Sequence, residues 1–222
     1  MIAFNDVKNA KYIVIITDNN SFANANALYS YILSEHKKVS LVVTQEIDAK
    51  FSFLPWYEKR RENIPASADL IIEVQPDSVA LFDALKKNDI AINKKMATAL
   101  FAGLLEFTEG FFNVTCNGTA FAIASELITL KAEHVTCKEF LQKRDSLALF
   151  RLKSLMYKTM VQSADAQVIK VYISNEDLKS TGATQRDVEK VQKELLKIVH
   201  VKEVILYKSD ENNKILKSIK EI

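Results

Sequence analysis

The stretch "YIVIITDNNS", residues 12–21, runs an apolar segment into a turn made of Asp18, Asn19, Asn20 and Ser21. A turn of this kind between a strand and a helix is where α/β proteins place phosphate or metal chemistry, because free N–H groups at a helix start attract anions. Asn19, Asn20 and Ser21 can add donors to such a site. Asn and Ser also cap helices, and capping is the plainer account of them. Acid–base work needs two converging carboxyl groups, and Asp18, Glu73, Glu106 and Glu109 are the candidates; read blandly, they are surface and strand-end charges. Trp56 lies close to Arg60 and Arg61 in "WYEKRR". An aromatic ring beside cations can stack a base and hold phosphate, and the plainer reading is a solvated turn with one ring tucked under it. His36, His134 and His200 are too far apart in sequence to suggest a ligand cluster. Cys116 has no neighbouring His or cation to activate its thiol.

These residues sit in a chain of 222 residues with a formal net charge of +2, which by itself argues for neither nucleic acid nor an anionic membrane. With 4 Gly and 3 Pro there is little material for a Gly-rich nucleotide loop. The N-terminus has no basic segment followed by an apolar run, and no stretch is apolar enough to span a bilayer. Cys116 and Cys137 make neither a disulfide framework nor a zinc pattern. A reduced, cytoplasmic protein is the expectation.

The β-branched run Tyr12–Thr17 predicts a strand buried on both faces of a parallel sheet. Ser21–His36 has apolar residues at helical spacing, and Val39–Thr44 is the next strand, completing a βαβ unit. Residues 68–74 predict a third strand, and helices follow at 77–87, 94–106 and 118–131. Small residues at Ala97, Ala99, Ala102 and Gly103 allow close packing. Residues 136–160 predict one long amphipathic helix or a pair linking two lobes. A strand near 166–174, a helix over 181–199 with Ile198 on its core stripe, and a strand at 201–208 complete the second lobe. Thr184 and Asp187 have the spacing of a capping box. The Lys-rich tail is expected to be a frayed end or a docking helix; it could also fold back over the lobe, whose exposed sheet edge must otherwise be covered or used to pair with a second copy or another protein.

The order strand, polar turn, helix, basic pair, strand resembles the first motif of the DHH phosphoesterase family, D-x-D-A-x-x-S-A, and its nanoRNase and phosphoadenosine-phosphate phosphatase branch in particular. The matching residues are Asp18-Asn19-Asn20-Ser21-Phe22-Ala23-Asn24-Ala25. Phe53-Leu54-Pro55 resembles the family's FLPG segment, and "ALFAGLLEFTEGFFNVTCNGT" resembles a later family segment. The resemblance implies that two aspartates of the first motif bind manganese. Here Asp18 keeps the first position and Asn20 holds the second. Glu73 ends the strand that should carry another Asp, the DHH tripeptide has no counterpart, and Phe107 sits where the last Asp belongs. The C-terminal part resembles the start of the family's substrate-binding domain, without its Gly-rich segment. Asp18, Asn20, Glu73 and Phe107 are thus expected as remnant metal positions. Asn19, Ser21, Asn24, Trp56, Arg60 and Arg61 are expected as ligand contacts, with no catalytic residue, no metal and no cofactor.

The expected fold is α/β: a parallel sheet flanked by helices, a linker helix, and a small truncated αβ lobe. The boundaries are residues 1–137 for the DHH-like domain, 138–163 for the linker and 164–222 for the C-terminal lobe. The expected function is a catalytically inactive relative of the phosphoesterases, acting as a protein-interaction or scaffold module with a protein partner or as a homodimer. The alternatives are a phosphoesterase with a rebuilt, manganese-dependent site, and a binder of nucleotides or single-stranded nucleic acid.

Overall fold

The computed structural model describes residues 4–142 and 145–220. The chain divides into two compact units, Met1–Arg144 and Asp145–Ile222.

In the first unit a short helix α1 (Phe4–Asn9) precedes β1 (Tyr12–Thr17), and every β1 residue except Ile16 is buried. β2 (Lys38–Val43), β3 (Arg60–Arg61) and β4 (Leu70–Glu73) complete an all-parallel sheet in the order β3-β2-β1-β4. Helices α2 (Phe22–Ser34), α3 (Ser78–Lys87), α4 (Lys94–Phe107), α5 (Gly118–Thr129) and α6 (His134–Gln142) follow in turn. Asp77, Asn93 and Asn117 start three of them by accepting the N–H of Ala80, Met96 and Ala120. This is the usual work of a short polar side chain at an N-cap. Ile13, Ile15, Leu41 and Ile72 of the sheet share one core with Leu28, Leu85 and Leu100 of the helices. α2 is buried from Phe22 through Ile32, polar residues included, so Asn24, Asn26 and Ser30 must find partners inside the protein.

The second unit carries α7 (Leu147–Thr159), β5 (Val161–Gln162), β6 (Val168–Ile173), α8 (Asn175–Thr181), α9 (Gln185–Leu195), β7 (Glu203–Lys208) and β8 (Lys214–Lys220). The sheet order is β5-β6-β7-β8, with β6 and β7 parallel and both outer pairs antiparallel. Leu152, Val171, Val188, Val191, Val204 and Leu206 lie in its own core. The segment expected to link two lobes is a pair of helices, α6 and α7, and the division at residue 144 falls between them.

Two expectations are corrected here. Through Lys220 the Lys-rich tail is neither frayed nor helical but folds back on the lobe: it is β8, antiparallel to β7, with Glu203 opposite Lys220 and Lys208 opposite Lys214, and its last two residues lie outside the described residues. The turn between the strands holds Asn212 and Asn213 at φ 49° and 56°, a left-handed conformation that Asn tolerates well. Lys217 pairs with Glu189 at 2.6 Å, so the tail also bonds to α9, and β7 keeps no open edge. Ile198 is not on a helical core stripe, because α9 ends at Leu195 and Ile198 is 41% exposed. The capping box of Thr184 and Asp187 is present, and Ser174 with Asp177 makes a second one. Among the described residues no helix is long and apolar enough to cross a membrane.

Candidate functional site

β1 delivers Asp18 to the end of the sheet, and the turn folds onto its carboxylate. Asp18 Oδ1 accepts the N–H of Asn20 at 3.0 Å, the N–H of Ser21 at 2.9 Å and the Ser21 hydroxyl at 2.7 Å. Asp and Asn commonly fold turns this way, by bonding to the backbone two or three residues on. Ser21 occupies the N-cap position of α2 but makes no side-chain cap bond. Its hydroxyl instead lies 2.8 Å from the Thr17 hydroxyl and accepts the Asp18 N–H at 3.2 Å. The negative charge favoured at a helix start is therefore supplied by Asp18 itself.

Asn19 is buried and faces a different neighbour. Its Oδ1 accepts the N–H of Asp48 at 2.8 Å. Asp48 in turn accepts the Lys50 N–H at 3.1 Å and starts a short 3-10 turn, Ala49–Phe51. That turn carries the Lys50 ammonium onto the Glu106 carboxylate near the end of α4. The two side chains are 22% and 23% exposed. Asn19 Nδ2 is buried and has no partner among the described residues.

Asn24, one turn into α2, bonds to two further segments. Its Nδ2 donates to the Gln75 carbonyl at 2.9 Å, and its Oδ1 accepts the Ser78 hydroxyl at 2.7 Å. Gly103 of α4 packs directly on this pair. Glu73 and Asn20 are exposed. Phe107 is half-buried at the end of α4, and its carbonyl accepts the Asn113 amide at 2.9 Å and the Thr115 hydroxyl at 3.2 Å. Glu109 is exposed, at φ 48° in a left-handed run with Gly110 and Phe111.

The structure thus brings Asp18, Asn19 and Ser21 into one turn and ties Asn24 to the end of β4. Trp56 belongs to another contact. Its indole N–H donates to the Ser30 hydroxyl at 2.7 Å, its ring lies 5.0 Å from Tyr29, and the Lys95 ammonium lies 4.7 Å from the ring centre. Arg60 lies over the Tyr57 ring at 3.9 Å and donates to the Tyr57 carbonyl at 2.6 Å. Arg61 is exposed in β3, and both arginines line a shallow groove of about 990 Å3. Of the histidines, His134 packs edge-on against Phe101 at the start of α6, while His36 and His200 sit in left-handed turns. Lys50, Asp48, Ser78 and Gly103 were not singled out as site residues from the sequence. Their partners lie roughly 30 to 80 residues away, and no local pattern marks them; the small-residue run 97–103 hinted only at close packing. Asn26 and Ser30 did leave a signal: polar residues four apart on an otherwise apolar helix needed buried partners.

The donor set does not fit a pair of manganese ions. Two doubly charged ions need several anionic oxygen ligands. Asp18 already accepts three hydrogen bonds on Oδ1, Glu106 is paired with Lys50, Asn20 is neutral and Phe107 has no donor in its side chain. Among the described residues no three His, Cys, Asp or Glu side chains are grouped closely enough to hold a metal ion.

The chain shares the fold of an exopolyphosphatase-related protein. That protein, from Bacteroides fragilis, superposes with a TM-score of 0.76 over 96% of this chain and 80% of its own, at 15% sequence identity. A protein from Methanococcus jannaschii assigned as a family II inorganic pyrophosphatase aligns over 89% of this chain and 83% of its own at 12% identity, with a TM-score of only 0.38. No protein-family model matches the sequence, and no curated protein matches it significantly. The expected α/β class, a parallel sheet with flanking helices and a second small sheet, is the one found.

Proposed function

We propose that the chain is a non-catalytic relative of the phosphoesterases, of the DHH type and nearest in motif order to the nanoRNase branch, and that it works as a protein-interaction module. The observation supporting this is the state of the carboxylates around the Asp18 turn. Asp18 holds its own turn closed, and Glu106 is neutralised by Lys50. Among the described residues no three His, Cys, Asp or Glu side chains group closely enough to hold a metal pair and generate hydroxide, which is how hydrolysis of this class proceeds. Asn24, Ser78 and Gly103 fill the neighbouring space with a packed polar contact.

The experiment is calorimetric titration with manganese, together with hydrolysis assays on short oligoribonucleotides and phosphoadenosine phosphate. The expected result is no saturable metal binding at micromolar levels and no turnover. The shared fold with an exopolyphosphatase-related protein favours a second reading, a hydrolase with a rebuilt site. Manganese-dependent hydrolysis abolished by Asp18→Ala would establish that reading and end the first.

A further inference from the structure

The first sheet ends at β4, and β4 is paired on one side only. Its partner is β1; among the described residues no backbone group bonds to β4 on the side away from β1. Ile71, in the middle of the strand, is 50% exposed. An unpaired strand edge is a row of donors and acceptors ready for another chain, and proteins usually cover it or guard it with charge.

At the end of β4 the edge opens into a cavity of about 570 Å3. Its apolar wall includes Phe4, Val74 and Leu81, and its polar rim carries Glu73, Asp77 and Asp83 against the single cation Lys87. Glu73 and Asp83 are exposed, and among the described residues neither has an ion-pair partner. The rim is therefore acidic, and next to it lies unsatisfied strand backbone. A bound segment that is extended and basic satisfies both.

We propose that β4 is a docking edge. An extended segment of a partner protein adds to it as a further strand, with an apolar side chain in the cavity beside Phe4 and Leu81 and Lys or Arg side chains against Glu73 and Asp83. Backbone hydrogen bonds supply the affinity of such strand addition, and alternate side chains supply its specificity. The period of two in a strand places apolar and basic residues on opposite faces, so the preferred sequence alternates between them. The proposal rests on the reading of the chain as an interaction module and names the surface and the chemistry of the partner.

The test uses the full chain, labelled with nitrogen-15, titrated with the peptide Lys-Val-Lys-Val-Lys-Val-Lys, and a control in which every Lys is Glu. The expected result is saturable shifts confined to β4, α3 and Phe4, with slowed exchange of the β4 amides that face away from β1. The Glu peptide and the exposed charge-reversal variant Glu73→Lys/Asp83→Lys should each weaken binding by roughly tenfold or more, as loss of complementary rim charge does. The thermal midpoint of the variant, measured alongside, should match the parent. Absence of saturable binding, equal binding of both peptides, or undiminished binding by the variant overturns the docking edge. Manganese-dependent hydrolysis would instead overturn the non-catalytic reading and leave the titration result standing.

Discussion

A methyl group placed on Gly103 would lie 2.3 Å from Asn24 Oδ1 and 2.5 Å from the Ser78 hydroxyl. Asn24 is not free to swing aside, because its amide also holds the Gln75 carbonyl at 2.9 Å. The absence of a side chain at Gly103 is what lets α4 close on α2. Gly103→Ala should destabilise the protein by about 2 kcal/mol, in the range of overpacked cores. Urea unfolding measures it, and Asn24→Ala in the same chain should recover part of the loss. An unchanged midpoint for Gly103→Ala would show that the contact yields.

Asp69 ties the start of β4 to β1, its Oδ2 accepting the N–H of Tyr12 at 2.8 Å and of Lys11 at 3.0 Å. These bonds favour the charged form, led by the one from Tyr12, and hold the carboxyl below its ordinary 3.8. A carboxylate whose folded-state pKa is depressed contributes stability above the unfolded value and loses it as pH falls through the folded one. Wild type should therefore be more stable than Asp69→Asn at neutral pH, and the gap should shrink only below pH 3.8. Thermal midpoints of both proteins across pH 2–7 check this. A gap that is constant with pH would mean that ionisation of Asp69 contributes nothing.

Burial pushes the Cys137 thiol up to about 12, with the nearby Glu133 charge adding to the shift. Its sulfur faces the Thr98 carbonyl at 3.6 Å and is fully enclosed. The thiolate is the reactive form, so iodoacetamide at pH 8 should leave Cys137 unmodified in the native protein and label it in denaturant. Peptide mass spectrometry distinguishes it from the half-buried Cys116. Native labelling of Cys137 at the rate of a free thiol would contradict its burial.

Gln192 of α9 is 0% exposed, and neither its Oε1 nor its Nε2 has a partner among the described residues. Burying an amide without hydrogen bonds costs roughly 1–3 kcal/mol. Gln192→Leu should raise stability by about 1 kcal/mol, once the change of shape is allowed for. A lower thermal midpoint would mean that the amide is held by a bond, for example to an ordered water.

Three of the four strands of the main sheet were legible because the β-branched runs at 12–17, 39–44 and 68–74 allow little else, whereas β3, only Arg60–Arg61, carries no such run; α2 to α5 were legible because their apolar spacing is helical. Asp18 and Asn24 were recognisable as turn and helix-start residues, but their partners were not. Lys50 reaches Glu106 across 56 residues, and Asn24 reaches Ser78 across 54. Contacts of that span follow from the assembled fold and leave no trace in local spacing. β8 escaped for another reason. In "KILKSIK" only Ile219 is even partly buried, so the strand rests on backbone pairing with β7 and has no alternating pattern to read.

The register of the two sheets also sets a timetable. β7 and β8 meet through a short turn that pairs Lys208 with Lys214, and hairpins of that kind close in roughly 1–10 μs. In the first sheet, Tyr12 meets Ser40 from 28 residues away and Asp69 from 57. Such distant pairings must wait for long loops to close, and they slow folding accordingly. The C-terminal hairpin should therefore acquire protected amides first. β4, which must bridge the longest separation to reach β1, should pair late, and its outer edge stays open even in the folded sheet.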